Sequence, residues 1–218
     1  MQITVQGHAS AAYRPERATV HLTIGFEGAE KERVLAQATE LGNALAHDVE
    51  AIKAQADSPV TWSAMLPIST RSWRPYSNEG KVLPIRHAAS AQVKIKFRDF
   101  KALSRFIDQW GGRDGVTVGW VEWALTEERR VREENSVLTR AVEAAYDRAQ
   151  TMARAANAGD VRFLEVADPG LMPGARAETQ MAYSMKARGA ADTGGEGINL
   201  APEDVELEAT VHARFTTD

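Results

Sequence analysis

The chain has 218 residues, of which 44% are hydrophobic and 26% charged, with a formal net charge of −4 and no cysteine. That length and balance suit a folded chain with a substantial core and argue against wholesale disorder. The lack of cysteine excludes disulfides, thiolate nucleophiles and Cys-based metal sites, and no apolar run approaches the roughly 20 residues that a membrane-spanning helix needs.

Taken in order, the chain opens on alternation. Ile3, Val5 and Gly7 oppose Thr4, Gln6 and His8, the period of a half-buried strand. This start holds no apolar signal region, so a cytoplasmic address is expected, or a periplasmic or secreted one if a leader has been removed. After a turn near Pro15, Val20, Leu22, Ile24 and Phe26 alternate again, which predicts a hairpin with the first strand. From about Glu30 the step changes to three and four. Val34, Ala38, Leu41, Leu45, Val49 and Ile52 form the stripe of an amphipathic helix, and Pro59 ends it. Val60, Trp62, Ala64, Leu66 and Ile68 read as one strand, and Ala91, Val93, Ile95 and Phe97 as another. The polar stretch between them, with Trp73, Pro75, Tyr76, Asn78 and Gly80, reads as a connection.

A short helix follows, carrying Phe100, Leu103, Phe106 and Ile107 and stopped by Gly111-Gly112. Val116, Val118 and Trp120, with Glu122 at the end, make a further strand. The longest helix is expected over 127–157, with the stripe Val131, Leu138, Val142, Ala145, Ala149, Met152 and Ala156 and a stop at Gly159. Val161, Phe163 and Val166 suggest a short strand. The last strand alternates most cleanly, with Val205, Leu207, Ala209, Val211, Ala213 and Phe215 against Glu206, Glu208, Thr210, His212, Arg214 and Thr216. Between 169 and 200 no period survives, and this glycine-punctuated segment reads as a mobile loop or an assembly arm. The expected order is β-β-α-β-β-α-β-α-β-β: an α+β fold of mainly antiparallel sheets with helices on one sheet face. The whole of 1–218 is expected to form a single domain.

Several stretches carry a resemblance. Ile3-Thr4-Val5-Gln6-Gly7 and Arg14-Pro15-Glu16-Arg17-Ala18-Thr19-Val20 resemble the opening of the SIMPL domain family, which includes the YggE-like bacterial stress proteins. Glu16 and an extra Arg17 lie around a turn where that family usually has Pro-Asp. The run from Ala141 to Ala153 is similar to the family's alanine-rich helix, and 159–166 to the strand after it. Leu200 to Val211 resembles the terminal strand, with Glu203 where glycine is common. The resemblance covers nearly the whole chain. It implies a multimeric, in some members ring- or channel-like, protein, secreted or periplasmic in most members. The family has no established enzyme activity and has been linked to protection against oxidative stress.

The residues themselves point away from catalysis. There is no G-x-x-x-x-G-K-[ST] loop, and Gly194-Gly195-Glu196-Gly197 follows no strand-to-helix turn. No G-x-S-x-G elbow exists. His8, His21 and His212 all sit on polar strand faces, where a zinc site would require them to converge; solvated strand residues are the simpler reading, and no cofactor or metal is expected. Glu127-Glu128 and Glu133-Glu134 read as a solvated helix face favoured by the helix dipole.

Charge is distributed unevenly. Between Ser69 and Arg105 stand Arg71, Arg74, Lys81, Arg86, Lys94, Lys96, Arg98, Lys101 and Arg105 against only Glu79 and Asp99, so this segment is +7 and the remainder −11. Arg71, Trp73, Arg74 and Tyr76 interleave cations with aromatics, as platforms for single-stranded nucleic acid do, and Lys94, Lys96 and Arg98 line one strand face. Three readings stay open: a solvated hairpin, an anion-binding module, or a contact with Glu203, Asp204, Glu206 and Glu208 of a second copy. The acidity of the whole chain and the lack of a recognisable module weigh against nucleic acid. The leading expectation is therefore a non-catalytic homo-oligomer, with anion or nucleic-acid binding over 69–105 as the alternative and any small-molecule ligand unknown.

Overall fold

Alternating strands and striped helices resolve into two sheets, each with helices against one face. The computed structural model describes residues 1–76, 82–171 and 200–217; residues 172–199 of the unpatterned segment, and Lys81, Asn78, Glu79 and Gly80 of the basic one, lie outside them. The elements are β1 (Gln2–Tyr13), β2 (Arg17–Gly28), α1 (Lys31–Lys53), β3 (Val60–Met65), β4 (Ser69–Trp73), β5 (Arg86–Phe97), α2 (Phe100–Gly111), β6 (Val116–Ala124), α3 (Glu127–Ala155), β7 (Val161–Ala167) and β8 (Val205–Thr217). The α+β class and the antiparallel pairing are as the sequence indicates. One strand is new: β4 pairs with β5 inside the stretch that reads as a polar connection. No described helix is long and apolar enough to cross a membrane.

The chain divides into two compact units. One is built from Met1–Arg14 and the segments beginning at Leu125 and Glu203; the other is essentially Pro15–Ala124. This corrects the expected hairpin. β1 pairs with β8, Ile3 opposite Phe215 and Gly7 opposite Val211, whereas β2 pairs with β5 and β6 in the other sheet. A local turn at Pro15 carries no information about partners 200 residues away, and the apolar faces found better matches elsewhere.

In the first unit the sheet order is β1-β8-β7. Ile3, Val5, Val161, Val211, Ala213 and Phe215 meet Ala141, Ala145, Ala149 and Ala153 of α3. The expected helical stripe is displaced: Val131, Leu138 and Met152 are exposed, and the alanines face the sheet. The helix lies too close for larger side chains. A Cβ on Gly7 would collide with the Ala141 carbonyl oxygen and come within 2.7 Å of the Ala145 nitrogen. Gln150, nearly buried, accepts a 3.1 Å hydrogen bond from the Val161 N–H and so ties β7 to the helix. The stop comes at Asn157 (φ 54°), earlier than Gly159. The Asn157 and Ala158 N–H groups donate to the Arg154 and Ala153 carbonyls, the Schellman pattern that satisfies the last turn.

In the second unit β2-α1-β3-β5-α2-β6 gives the strand order β3-β5-β2-β6, the split βαβ arrangement of ferredoxin-like folds. Its core holds Val20, Leu22, Ile24, Leu45, Ile95, Phe97, Leu103, Phe106 and Trp110. Asp99 caps α2, its carboxylate accepting from Lys101 N at 2.8 Å and Ala102 N at 3.2 Å. Both helices thus lie on the face made by the odd-numbered residues of β5, and the even-numbered ones form the opposite face.

Candidate interaction surface

The outer face of the second unit's sheet is assembled by strand register. Opposite Lys96 of β5 stand Thr19 on β2 and Trp62 on β3; opposite Lys94 stand His21 and Ala64. Thr19 in turn faces Glu122 on β6. Farther along the same face, Arg71 and Trp73 of β4 oppose Ala88 and Arg86. Arg71, Trp73, Lys94 and Lys96, singled out from the sequence, therefore share one surface.

Two tryptophans join them that alternation alone places on the inner face. Trp62 is 46% exposed and Trp120 is 64% exposed. Each follows a break in register. β3 holds an extra residue between Val60 and Trp62, and β6 holds one where Gly119 and Trp120 span the single position of His21. Such a bulge shifts every later side chain to the other face. Inward packing resumes on β6 with Val121 and Trp123, and Trp123 meets Phe100 edge-on at 5.0 Å. The spacing Val116, Val118, Val121, Trp123 is the signal in the sequence that marks this break.

The side chains of this face contact one another. The His21 ring stacks on Trp120, centroids 4.3 Å apart and planes within 13°, and His21 Nε2 lies 3.2 Å from a Glu122 carboxylate oxygen. The Lys96 ammonium lies 5.9 Å from the Trp62 ring centre, and the Arg71 guanidinium sits 4.5 Å over Trp73. Gly25, Ala88 and Ser90 leave a shallow depression with Arg71 and Glu27 at its rim.

Other expected members lie elsewhere. Arg98 donates to the Ser58 carbonyl at 2.8 Å and pairs with Asp57, fixing the entry to β3. Arg74 and Tyr76 follow β4, with Tyr76 almost fully exposed. Glu206 and Glu208 are exposed on β8, opposite Ala12 and Ser10 of β1, and Glu203 and Asp204 precede that strand. These acids belong to the first unit and the basic residues to the second.

The three histidines do not converge. His8 and His212 occupy neighbouring strands of the first sheet, with His8 Nδ1 3.2 Å from the Thr210 hydroxyl, while His21 stands in the other sheet. No group of three potential ligands comes together among the described residues. The paired glutamates at the start of α3 do what a solvated helix face does. Arg130 bonds Glu127 and Glu134 at 2.6 Å each, and the hydrogen bond from Arg130 holds the Glu127 carboxyl below the usual carboxylate range.

A second exposed feature was not foreseen. β7 is an edge strand, pairing among the described residues only with β8, yet Phe163, Leu164 and Val166 are all exposed, Leu164 by 52%. Phe163 continues an aromatic row with Phe215 at 4.4 Å and Tyr146 at 5.9 Å. Val142, Tyr146 and Phe163 border a shallow hollow with Glu143 and Asp147 beside it.

Comparison with known proteins adds one firm relation. No curated protein matches the chain. Among solved structures, an amidase of the hydantoinase/carbamoylase family from Burkholderia phymatum is similar at 13% identity and a TM-score of 0.23, over 61% of this chain and 36% of that one. So low a score carries no argument about fold or activity. The match to the SIMPL family, described as a protein of unknown function (DUF541), runs over residues 3–215, and the chain belongs to that family.

Proposed function

We propose that the protein acts by binding, without catalysing a reaction, and that it self-associates through the open edge of β7. The observation that carries this reading is the row Phe163, Leu164 and Val166, exposed on an edge strand. Edge strands of monomers are normally defended by lysine, proline or a bulge, because their unpaired N–H and C=O groups recruit further strands. Here the register irregularity between Phe163 and Glu165 is such a device, and Arg162 and Glu165 add charge, but the exposed Phe163, Leu164 and Val166 are apolar and favour docking. A second copy's strand would extend the sheet and cover them. Attraction between the acidic β8 residues of one copy and a basic surface of another would assist the encounter, as complementary patches do.

Light scattering on the eluting protein at low and high salt tests this. The expected mass is a multiple of 23.8 kDa, reduced by Leu164→Lys. A 23.8 kDa species at micromolar concentration under both conditions would sink the reading. Protection against oxidative stress, which the resemblance implied, forms part of the same proposal; unaltered peroxide survival of a deletion strain would remove it.

A further inference from the structure

We infer that the outer face of the β3-β5-β2-β6 sheet is a stacking surface for single-stranded nucleic acid, with Trp62 and Trp120 receiving bases and Lys94 and Lys96 receiving the phosphates between them. The face is distinct from the β7 edge, so this inference and the self-association reading fail separately.

Three observations converge. First, the tryptophans stand on the two outermost strands of that four-strand order. Three interstrand steps of about 4.8 Å separate them, roughly 15 Å in all, the span of a few nucleotides. Second, both indoles are turned outward by bulges, against the alternation of their strands. Bulges that re-aim a side chain are over-represented at sheet edges, where both of these stand, and next to active sites. Trp120 is held on one side by the stacked His21 ring, itself near Glu122, and its exposed remainder is available to a second planar group. Third, the positions between the indoles are polar or cationic, with half-buried His21, Lys94 and Lys96 on the central strands beside a buried Thr19.

That last pattern selects the ligand. A surface meant for another protein sheet would carry aliphatic residues on its central strands, where burial is deepest. Here the central strands carry no aliphatic side chain larger than Ala88 on this face, the two exposed indoles stand at its edges, and positive charge lies between them. Flat apolar groups joined by regular negative charges are what single-stranded nucleic acid offers, and stacking tolerates any base. The net charge of the whole chain, which weighed against this ligand, is the wrong measure: the acids of β8 belong to the other unit. RNA-recognition modules also bind bases on the open face of a sheet, one of four strands, whereas β4 adds a fifth strand here. In those the aromatics lie on central strands, and here they lie on the edges, so the likeness is one of architecture only.

The test uses the full chain and a fluorescein-labelled oligothymidine of about 12 nucleotides, followed by anisotropy in about 50 mM salt. Saturable binding that quenches tryptophan fluorescence is expected. Trp120→Ala, at an exposed site that leaves the core intact, should weaken it at least about fivefold. Lys94→Glu with Lys96→Glu should lower the slope of log affinity against log salt by about 1.4. Circular dichroism confirms that each variant is folded. Failure to bind overturns the inference. So does binding that survives Trp120→Ala and Trp62→Ala undiminished, since that is charge attraction alone. A lysine double variant that alters the assembly mass while the parent ignores oligothymidine would assign the face to a second copy, and also overturns it.

Discussion

Between helix and sheet, the two units of this molecule use side chains of opposite size. In the unit of β1, β8 and β7 the helix offers Ala141, Ala145, Ala149 and Ala153, all fully buried, and the sheet answers with Gly7 at the closest approach and with larger side chains, Phe215 the largest, around it. In the unit of β2 to β6 the layer is filled by Leu45, Ile95, Phe97, Phe106 and Trp110. Small residues let backbones approach until almost no volume remains to fill, whereas large ones hold the layers apart and fill the gap themselves. Interiors are close-packed in both cases, so the same density is reached by two routes, and each fails in its own way. At the contact of α3 with Gly7 adding atoms does the harm; in the layer of the second unit removing them does.

The largest effect is expected from Phe97→Ala, which removes a fully buried ring and its contact with Phe106 at 5.5 Å. A loss of about 3–5 kcal/mol is expected in urea unfolding. A loss under about 1 kcal/mol would mean that the site collapses freely and the contrast between the units is misjudged. Next comes Ala145→Leu, which forces volume between α3 and Gly7 and should destabilise by about 1–3 kcal/mol. Its companion Leu138→Ala, on the exposed side of the same helix, should change stability by less than about 0.5 kcal/mol. If Leu138→Ala proves the more harmful in thermal melts, the alanine face is not the buried one.

Smaller effects sharpen the comparison at the helix starts. Asp99→Ala removes the side-chain cap of α2 and should destabilise by about 1 kcal/mol, read from the urea midpoint. A loss under about 0.5 kcal/mol would contradict the assignment of the α2 cap. The smallest effect concerns Glu127. Its carboxyl titrates lower when folded than when unfolded, because Arg130 donates to it. Its contribution is therefore present above the ordinary carboxylate range and fades as pH falls through the lowered folded value. Glu127→Gln should therefore flatten that acid limb slightly in pH-dependent melts, its small loss being larger at neutral pH than in acid; a larger loss in acid than at neutral pH would reverse the sign.

Much of the candidate surface was legible in the residues. Lys94 and Lys96 alternate with buried Val93, Ile95 and Phe97, so their exposure follows from the strand period. Arg71 and Trp73 were recognisable as a cation–aromatic pair, though their stretch was read as a connection, because exposed Ser69, Thr70 and Ser72 leave no apolar alternation. His21 already reads as a polar-face strand residue, but Trp62 and Trp120 were missed for one reason. Period-two counting assumes an unbroken ladder, and one inserted residue inverts every facing beyond it. The row on β7 was missed because a short apolar run reads equally as a buried strand.

The amino-acid sequence by itself determined what depends on near neighbours. Apolar spacing set α1 and α2, Asp99 set the start of α2, and alternation set β1, β2, β5 and β8, since these follow from steps of two or 3.6 residues and from local hydrogen bonds. Only the tertiary structure decided which strands met, that β1 would seek β8 across the whole chain, that α3 would turn its alanines to the sheet, and that two tryptophans would face outward. Those outcomes depend on how closely distant segments can approach and on where their ladders slip. Both are properties of surfaces brought together, and no local window of residues contains them.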